Sequence, residues 1–439
     1  MKKIRFIPAL LLTLLLLGLA SCSGTKDADA LLSTAPADAD MAVLLNLREV
    51  IKETGVSSKG QKFVVPDQYA TLAAQGKGSV LELLQQGGVK LSYVLAFSAK
   101  GVTYVTGFVA DEQAFRAYVE QATGQKFASR GKLQVCGSVV ISGDRFWHSQ
   151  PGRDVEVSAF MTLDGNKSLA QSGIGKRMLK KIDDKPFYGF ASTGNLSQFG
   201  ANPQAALMLG QMFGDVRYVT FAGDIDDDGL EIDGALLDSR LKPVKDTGFF
   251  TRADEKVLAS LFGHGDMLVL VGINPKKMSA LAALVSPRNT KIVDAFAGTF
   301  AVAASVGEMT PRGIPAMSVA ATIRPKADTK PLMEMVKSLA AYDADGAILD
   351  NMLIINTKPA PESSGASLHL DQLKGAYLGV ALSSQAMAQY SQGTADGWGG
   401  AYFKVEPDNG SYELKSKAYT SSREQTLLLL LKSTNLKAL

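Results

Sequence analysis

Asp40-Met41-Ala42-Val43-Leu44-Leu45-Asn46-Leu47 and Asp266-Met267-Leu268-Val269-Leu270-Val271-Gly272-Ile273 are two versions of one pattern, set 226 residues apart. In each, a polar residue enters an apolar run of about six residues, which suits a buried strand. The match holds without a gap from Thr25 over Thr251, with Leu32 over Leu258 and Leu47 over Ile273. A helix-like stretch follows in both. The first is Arg48 to Thr54, closed by Gly55, and the second is Pro275 to Leu284. Proline suits a first helical turn because its missing N–H would have no partner there.

A second correspondence has an offset of 190 residues and puts Phe187-Tyr188-Gly189-Phe190-Ala191 over Tyr377-Leu378-Gly379-Val380-Ala381. Both halves then end in a hairpin. Val219–Ile225 and Leu230–Leu236 flank Asp226-Asp227-Asp228-Gly229, and Tyr402–Glu406 and Ser411–Tyr419 flank Pro407-Asp408-Asn409-Gly410. Asp-Gly and Asn-Gly are strong hairpin signals. The change of offset makes the second half 36 residues shorter. Much of the difference falls at Gly55–Gly88, where Ser79 and Glu82 form a capping-box pattern before Leu83-Leu84 and Gly87 stops the helix.

Between the matched ends each half carries a hairpin and a helix. In the first, Leu91–Phe97 and Val102–Val109 pair, then Asp111 caps a helix ending at Gly124. In the second, Thr299–Val306 and Ala316–Ile323 pair, then Leu332, Met335, Val336 and Leu339 line one face of a helix. Leu133–Ile141, Arg145–His148 and Met352–Ile355 read as further strands. Strand, helix, two strands, helix, strand is the order of a split β-α-β unit. The expected fold class is therefore α+β. It comprises two related copies of an antiparallel sheet with helices on one face, built from split β-α-β units plus hairpins. The expected divisions are 1–21 signal peptide, 22–37 tether, 38–240 first copy, 241–259 junction, 260–423 second copy and 424–439 C-terminal helix. Leu427–Leu431 would reach every face of that last helix, so it reads as one docked on a domain rather than an amphipathic membrane helix.

The 439 residues are 46% hydrophobic and 20% charged, which excludes disordered, collagenous and coiled-coil classes. Removing Lys2, Lys3 and Arg5 with the signal leaves 43 basic and 43 acidic groups. That balance argues against a dedicated nucleic-acid partner. Three histidines and two cysteines argue against a His/Cys zinc centre, a disulfide scaffold or a haem attachment site. No cofactor is expected.

Lys2, Lys3 and Arg5 followed by the apolar run Ile7–Leu17 have the make-up of a secretory signal. The run is too short to serve comfortably as a permanent span, which needs about 20 residues. It stops at Leu19-Ala20-Ser21-Cys22, which resembles the lipobox of bacterial lipoproteins. The resemblance implies diacylglyceryl transfer to Cys22, cleavage before it and acylation of the new amino group. Ser23, where no Asp stands, resembles the sorting pattern that directs lipoproteins to the outer membrane. Asp27 and Asp29 do not distinguish a periplasmic from a surface orientation. Together with the lipobox, Pro36 to Leu47, Ser168-Leu169-Ala170 through Lys181, and Phe187 to Ser192 resemble a group of Bacteroidetes lipoproteins that carry a domain of unknown function. The resemblance covers most of the mature chain. It implies a fold and a location and transfers no catalytic residues.

Candidate site residues are few. Asp224, Asp226, Asp228 and Gly229 match positions 1, 3, 5 and 6 of a calcium loop, but Ala235 stands where the bidentate Glu is needed, so the stretch reads as an exposed turn. His148, His264 and His369 have no nucleophile motif around them. Ser129-Arg130-Gly131-Lys132 has a Ser-x-x-Lys spacing without the partner motifs of penicillin-binding enzymes. Lys176, Arg177, Lys180, Lys181 and Lys185 form a basic face, a solvated helix surface or a contact for anionic lipid or polysaccharide. Cys136 reads as a buried free thiol. Trp398, set in Gly397-Trp398-Gly399-Gly400, and Tyr402 and His264 are the candidate ligand contacts, placed between the two copies because pockets favour domain interfaces. The expected function is binding or scaffolding by a lipid-anchored envelope protein. Its partners are the membrane, through the lipid, and an envelope protein or glycan. The alternative is a hydrolase of envelope or glycan substrates using paired carboxylates.

Overall fold

The computed structural model describes residues 25–54, 57–59, 62–64, 88–194, 210–261, 263, 265–285, 290–362, 368–390, 397–423 and 425–426. The strands of the first half are β1 (Met41–Asn46), the small separate hairpin β2 (Ser57–Lys59) and β3 (Lys62–Val64), β4 (Val89–Ala99), β5 (Val102–Val109), β6 (Ala128–Arg130), β7 (Leu133–Cys136), β8 (Val139–Ser142), β9 (Arg145–His148), β10 (Phe187–Ser192), β11 (Tyr218–Asp226) and β12 (Gly229–Leu237). The second half supplies β13 (Met267–Gly272), β14 (Phe296–Met309), β15 (Pro315–Ile323), β16 (Ala344–Leu349), β17 (Met352–Thr357), β18 (Leu378–Ser383), β19 (Gly400–Asp408) and β20 (Ser411–Tyr419).

Eighteen of these strands form one sheet. Outward from the middle on one side, β12 pairs with β11, then come β10, β1, β4 and β5. On the other side β20 pairs with β19, then come β18, β13, β14 and β15. β12 and β20 pair with each other and close the middle. Each of these pairings is antiparallel. The expected split β-α-β units are therefore corrected. β1 and the next long strand, β4, are direct antiparallel neighbours, whereas a split unit needs two parallel strands with another between them.

Side chains alternate between the faces of each strand, so register assigns every residue to a face. On one face the helices α1 (Lys26–Leu32) and α5 (Gly173–Lys181) cover Ala42, Leu44, Leu95, Phe97, Tyr188 and Phe190. On the same face of the second half, α6 (Glu255–Ser260) and the turn Leu370–Leu373 cover Leu268, Leu270, Ala301 and Ala381. The opposite face carries α3 (Glu112–Thr123) over Val109 and Phe146, and α9 (Lys330–Ser338) over Ala321 and Leu353. Helices thus lie on both faces, not one. Both faces of the outer strands are apolar, and each needs its own cover.

Two further expectations change, and the junction is placed. Residues 26–32 of the expected tether form a helix whose Ala28, Leu31 and Leu32 are fully buried, so this part is packed on the body. Leu133–Ile141 is two strands, because Gly137 takes a left-handed φ of 57° and turns the chain. The junction is docked: Phe249 and Phe250 are buried against Leu236, Tyr377 and Tyr412. Other local readings hold. The Asp111 side chain accepts from the Ala114 N–H and Gly124 ends α3 in the left-handed region. The helix Pro275–Val285 starts at the proline. Residues 424 and 427–439 of the expected C-terminal helix lie outside the described residues, as do Cys22 and His264.

Candidate functional site

Between the two helix-covered regions, the middle strands carry charge on the same face. The hydrophobic cover of the first half ends at Tyr218 and Ala222 on β11, and that of the second half ends at Tyr402 and Tyr419. Between them lie Asp224, Glu231, Asp233, Lys415, Lys417, Lys404 and Glu406. Their common face follows from the pairs Asp224 with Glu231, Glu231 with Lys417, Asp233 with Lys415, and Lys404 with Lys415. Glu231 with Lys417 and Asp233 with Lys415 set opposite charges across the pair, which stabilises it; Asp224 with Glu231 and Lys404 with Lys415 set like charges opposite, offset by Lys185 on Asp224 and by Glu406 between the two lysines.

At one end the strip is a ladder. Glu406 bonds Lys404 and Lys415, both at 2.7 Å, and Lys415 also reaches Glu413 at 3.2 Å. Burial works against the Glu406 carboxylate, but the hydrogen bonds from Lys404 and Lys415 outweigh it and hold its pKa below the ordinary glutamate value. At the other end Lys417 bridges Asp226 at 3.1 Å and Asp228 at 2.7 Å. Its side chain is only 14% exposed. Burial opposes the charge, and the bonds to Asp228 and Asp226 prevail, so the ammonium titrates above the ordinary lysine range. Glu231 sits behind this bridge. Burial first, and then the nearby Asp226, raise its pKa above the usual glutamate value. It also shares a hydrogen bond with Asp226. On the first-half side Lys185 pairs with Asp224.

The aromatic border is equally defined. His369 stacks on Tyr419 with centroids 3.6 Å apart and planes 14° apart, and Tyr402 lies 6.2 Å from Tyr419. Burial lowers the His369 pKa and raises that of Tyr402. The arrangement offers cations and carboxylates on one surface, with one carboxyl near its edge whose pKa burial raises. That suits a ligand carrying both donors and acceptors. Among the described residues, no group of three or more His, Cys, Asp or Glu could hold a metal ion.

Of the candidate contacts, Tyr402 lies on the strip's border and is 5% exposed. Trp398 is 7% exposed, so its ring has little free face for stacking on a ligand. The acidic turn adjoins the seam between the halves: Asp226 and Asp228 bond a lysine of the second half, and Arg423 reaches Asp227 at 3.2 Å. His148 is half-buried at a strand end, and burial lowers its pKa. Cys136 is a buried free thiol with Thr123 Oγ1 at 3.3 Å. Glu231, Lys417 and His369 were not grouped by sequence reasoning. Their only prior signal was alternation: Glu231 and Lys417 occupy the polar phase of their strands.

No family model matches the chain, and no curated protein matches it. One solved structure, crystal form I of TP0453, is similar at 6% identity with a TM-score of 0.24, covering 74% of this chain and 91% of that one. A likeness of that size carries no argument about fold or function.

Proposed function

We propose that the chain is a lipid-anchored cell-envelope protein, acylated at Cys22 and sorted to the outer membrane, that binds or scaffolds an envelope protein or glycan rather than catalysing a reaction. The same reading makes its two halves copies of one antiparallel unit. The observation that carries it is the matched strand order on the two sides of the β12–β20 seam. In both directions the order is hairpin, short strand, entering strand, long hairpin. The helix covers repeat as well, with α1 and α6 on one face and α3 and α9 on the other. Joining two such halves leaves the seam, among the described residues, as a stretch of that face lined by charge instead of helix. A surface made by duplication and already solvated by mixed charge suits recognition.

The test has two arms. Metabolic labelling with a fatty-acid analogue should mark the wild-type chain and not Cys22→Ser, and label on Cys22→Ser refutes the anchor. Mature chain immobilised by its C-terminus should retain material from isolated envelopes. Combined Glu231→Gln and Lys417→Met should abolish that retention, and unchanged retention refutes the seam as the binding surface.

A further inference from the structure

We propose that the edge strand β16 is a self-association site, along which two copies of this chain join antiparallel about Ala347 into one continuous sheet. The inference uses neither the lipid anchor nor the charged seam.

The two outer ends of the sheet differ. At one end the last strand is β6, which is three residues long and pairs only with β7 among the described residues. It carries Arg130, which bonds Asp154 at 3.0 Å. A short edge strand bearing a basic side chain resists pairing with another sheet. At the other end the last strand is β16, which pairs only with β17 among the described residues. It runs for six residues, Ala344-Asp345-Gly346-Ala347-Ile348-Leu349, with no proline, lysine or arginine. In the first half, α4 (Asp154–Met161) packs Val157 and Phe160 over the outer strands. After β17 no such helix follows among the described residues before the turn Leu370–Leu373, and Leu349 on that face is 62% exposed.

Register shows which backbone groups are open. The Lys358 N–H donates to the Asp343 carbonyl at 2.7 Å, and the pairs that follow run from Ala344 with Thr357 to Leu349 with Met352. Hydrogen-bonded and non-hydrogen-bonded pairs alternate in an antiparallel ladder. Asp345, Ala347 and Leu349 therefore bond β17, and Gly346 and Ile348 turn their N–H and C=O groups outward from the sheet.

The occupant that fits is a second β16. Paired about Ala347, Gly346 of each copy exchanges both its backbone hydrogen bonds with Ile348 of the other. Ala347 then faces Ala347, and Asp345 faces Leu349. The two Asp345 carboxylates lie about 13 Å apart along the strands, beyond the Debye length of roughly 8 Å. Each keeps its own counter-ion, Lys358 at 2.6 Å. The Lys358 stem, lying beside Asp345, covers the other copy's Leu349. On the opposite face, the row of Ile355 and Gly346 beneath Val336 of α9 gains Ile348 of the second copy, so the apolar layer continues. The chain already joins its own halves in this manner. β12 meets β20 antiparallel, and Leu414 lies opposite Gly234 as Ile348 would lie opposite Gly346.

In isolated envelopes from cells making the full chain, Ala347→Cys should form a disulfide-linked dimer on mild oxidation. Residues at a non-hydrogen-bonded pair sit about 4.5 Å apart between Cα atoms, within the span of a disulfide. Asp345→Cys and Leu349→Cys should each stay unlinked alone and should link to one another when made together. Cys136 is buried and gives no background. In sedimentation of the purified chain, Ala347→Lys sets like charges directly opposite and should weaken dimerisation at least about fivefold, with Ala347→Ser unchanged. Residue 347 is exposed, so the urea midpoints of both variants should match wild type. A wild-type chain that stays monomeric, linking of Leu349→Cys alone as fast as Ala347→Cys, or unchanged dimerisation of Ala347→Lys each overturns the proposal. So does linking of Ala347→Cys to a different protein in place of a second copy, which would assign the edge to a foreign strand.

Discussion

Glu231 on β12 lies directly opposite Lys417 on β20, so a carboxyl from one half of the chain and an ammonium from the other meet across the seam of the sheet. Lys417 turns mainly toward Asp226 and Asp228, which leaves Glu231 with a raised pKa from burial and from Asp226. A carboxyl whose folded pKa exceeds its unfolded value favours the native state in its protonated form. That contribution is fully present below the ordinary glutamate pKa, near 4.3, and is lost as pH rises through the raised value. Urea midpoints of Glu231→Gln, whose amide cannot ionise, should therefore lack the loss that wild type shows across that window. Parallel pH profiles for the two proteins would remove Glu231 as its source.

Asp246 gives a second prediction, about the junction. Its carboxylate accepts from Tyr377 Oη at 2.7 Å and from Tyr412 Oη at 3.1 Å. Burial and the bond to Asp246 push the Tyr377 pKa up to about 12. Asp246→Ala removes the acceptor of the Tyr377 hydroxyl beside buried Phe250 and leaves Tyr412 Oη to the Met212 carbonyl at 3.4 Å and Thr247 Oγ1 at 3.1 Å. Hydrogen bonds to a charged partner contribute about 1.5–3 kcal/mol each, so a loss of roughly 2–4 kcal/mol is expected in denaturant unfolding. A change below about 0.5 kcal/mol would show that residues 241–259 are a free linker.

What the sequence disclosed, and what it hid, follows from range. The Asp111 cap, the Gly124 stop, the Asp-Gly and Asn-Gly hairpins and the Pro275 helix start are set by neighbours a few residues away, and each was legible. The pairing of β12 with β20 joins residues far apart in the chain, and nothing local specifies it. Lys26-Asp27-Ala28-Asp29-Ala30-Leu31-Leu32 reads as small and polar because only the far side of its helix is apolar, and the core that accepts Leu31 and Leu32 comes from β4 and α5. The site was hidden for the same reason. Glu231 and Lys417 each look like an ordinary outward-facing strand residue until register places them together.

A third prediction concerns the turn that leads into the basic helix. A Cβ at Gly175 would lie 1.8 Å from the backbone oxygen of Leu169, which has no room to move. At Gly173 the obstacle is the Leu241 side-chain tip at 2.8 Å, which can rotate away. Gly175→Ala should cost more than about 3 kcal/mol, and Gly173→Ala less than about 1 kcal/mol. Comparable thermal midpoints for the two variants would contradict this packing.

Trp398 decides whether the aromatic residues near the seam are ligand contacts or core. Its glycine neighbours suggest an accessible ring, yet it is 7% exposed, and Tyr402 is 5% exposed beside Tyr419. A buried indole contributes through the area it removes from water and the cavity it would leave, so Trp398→Ala should cost about 3–5 kcal/mol. The seam's charged groups range from 13% side-chain exposure at Lys404 and 14% at Lys417 to 33% at Lys415 and 41% at Asp226. Binding at the seam should therefore respond to charge and not to this ring. At a temperature where Trp398→Ala remains folded, its retention of envelope material should equal wild type per folded molecule. Glu231→Gln with Lys417→Met should lose retention while folding normally. If the Trp398 variant is as stable as wild type but retains nothing, the ring is a contact after all and its burial is relieved when ligand binds.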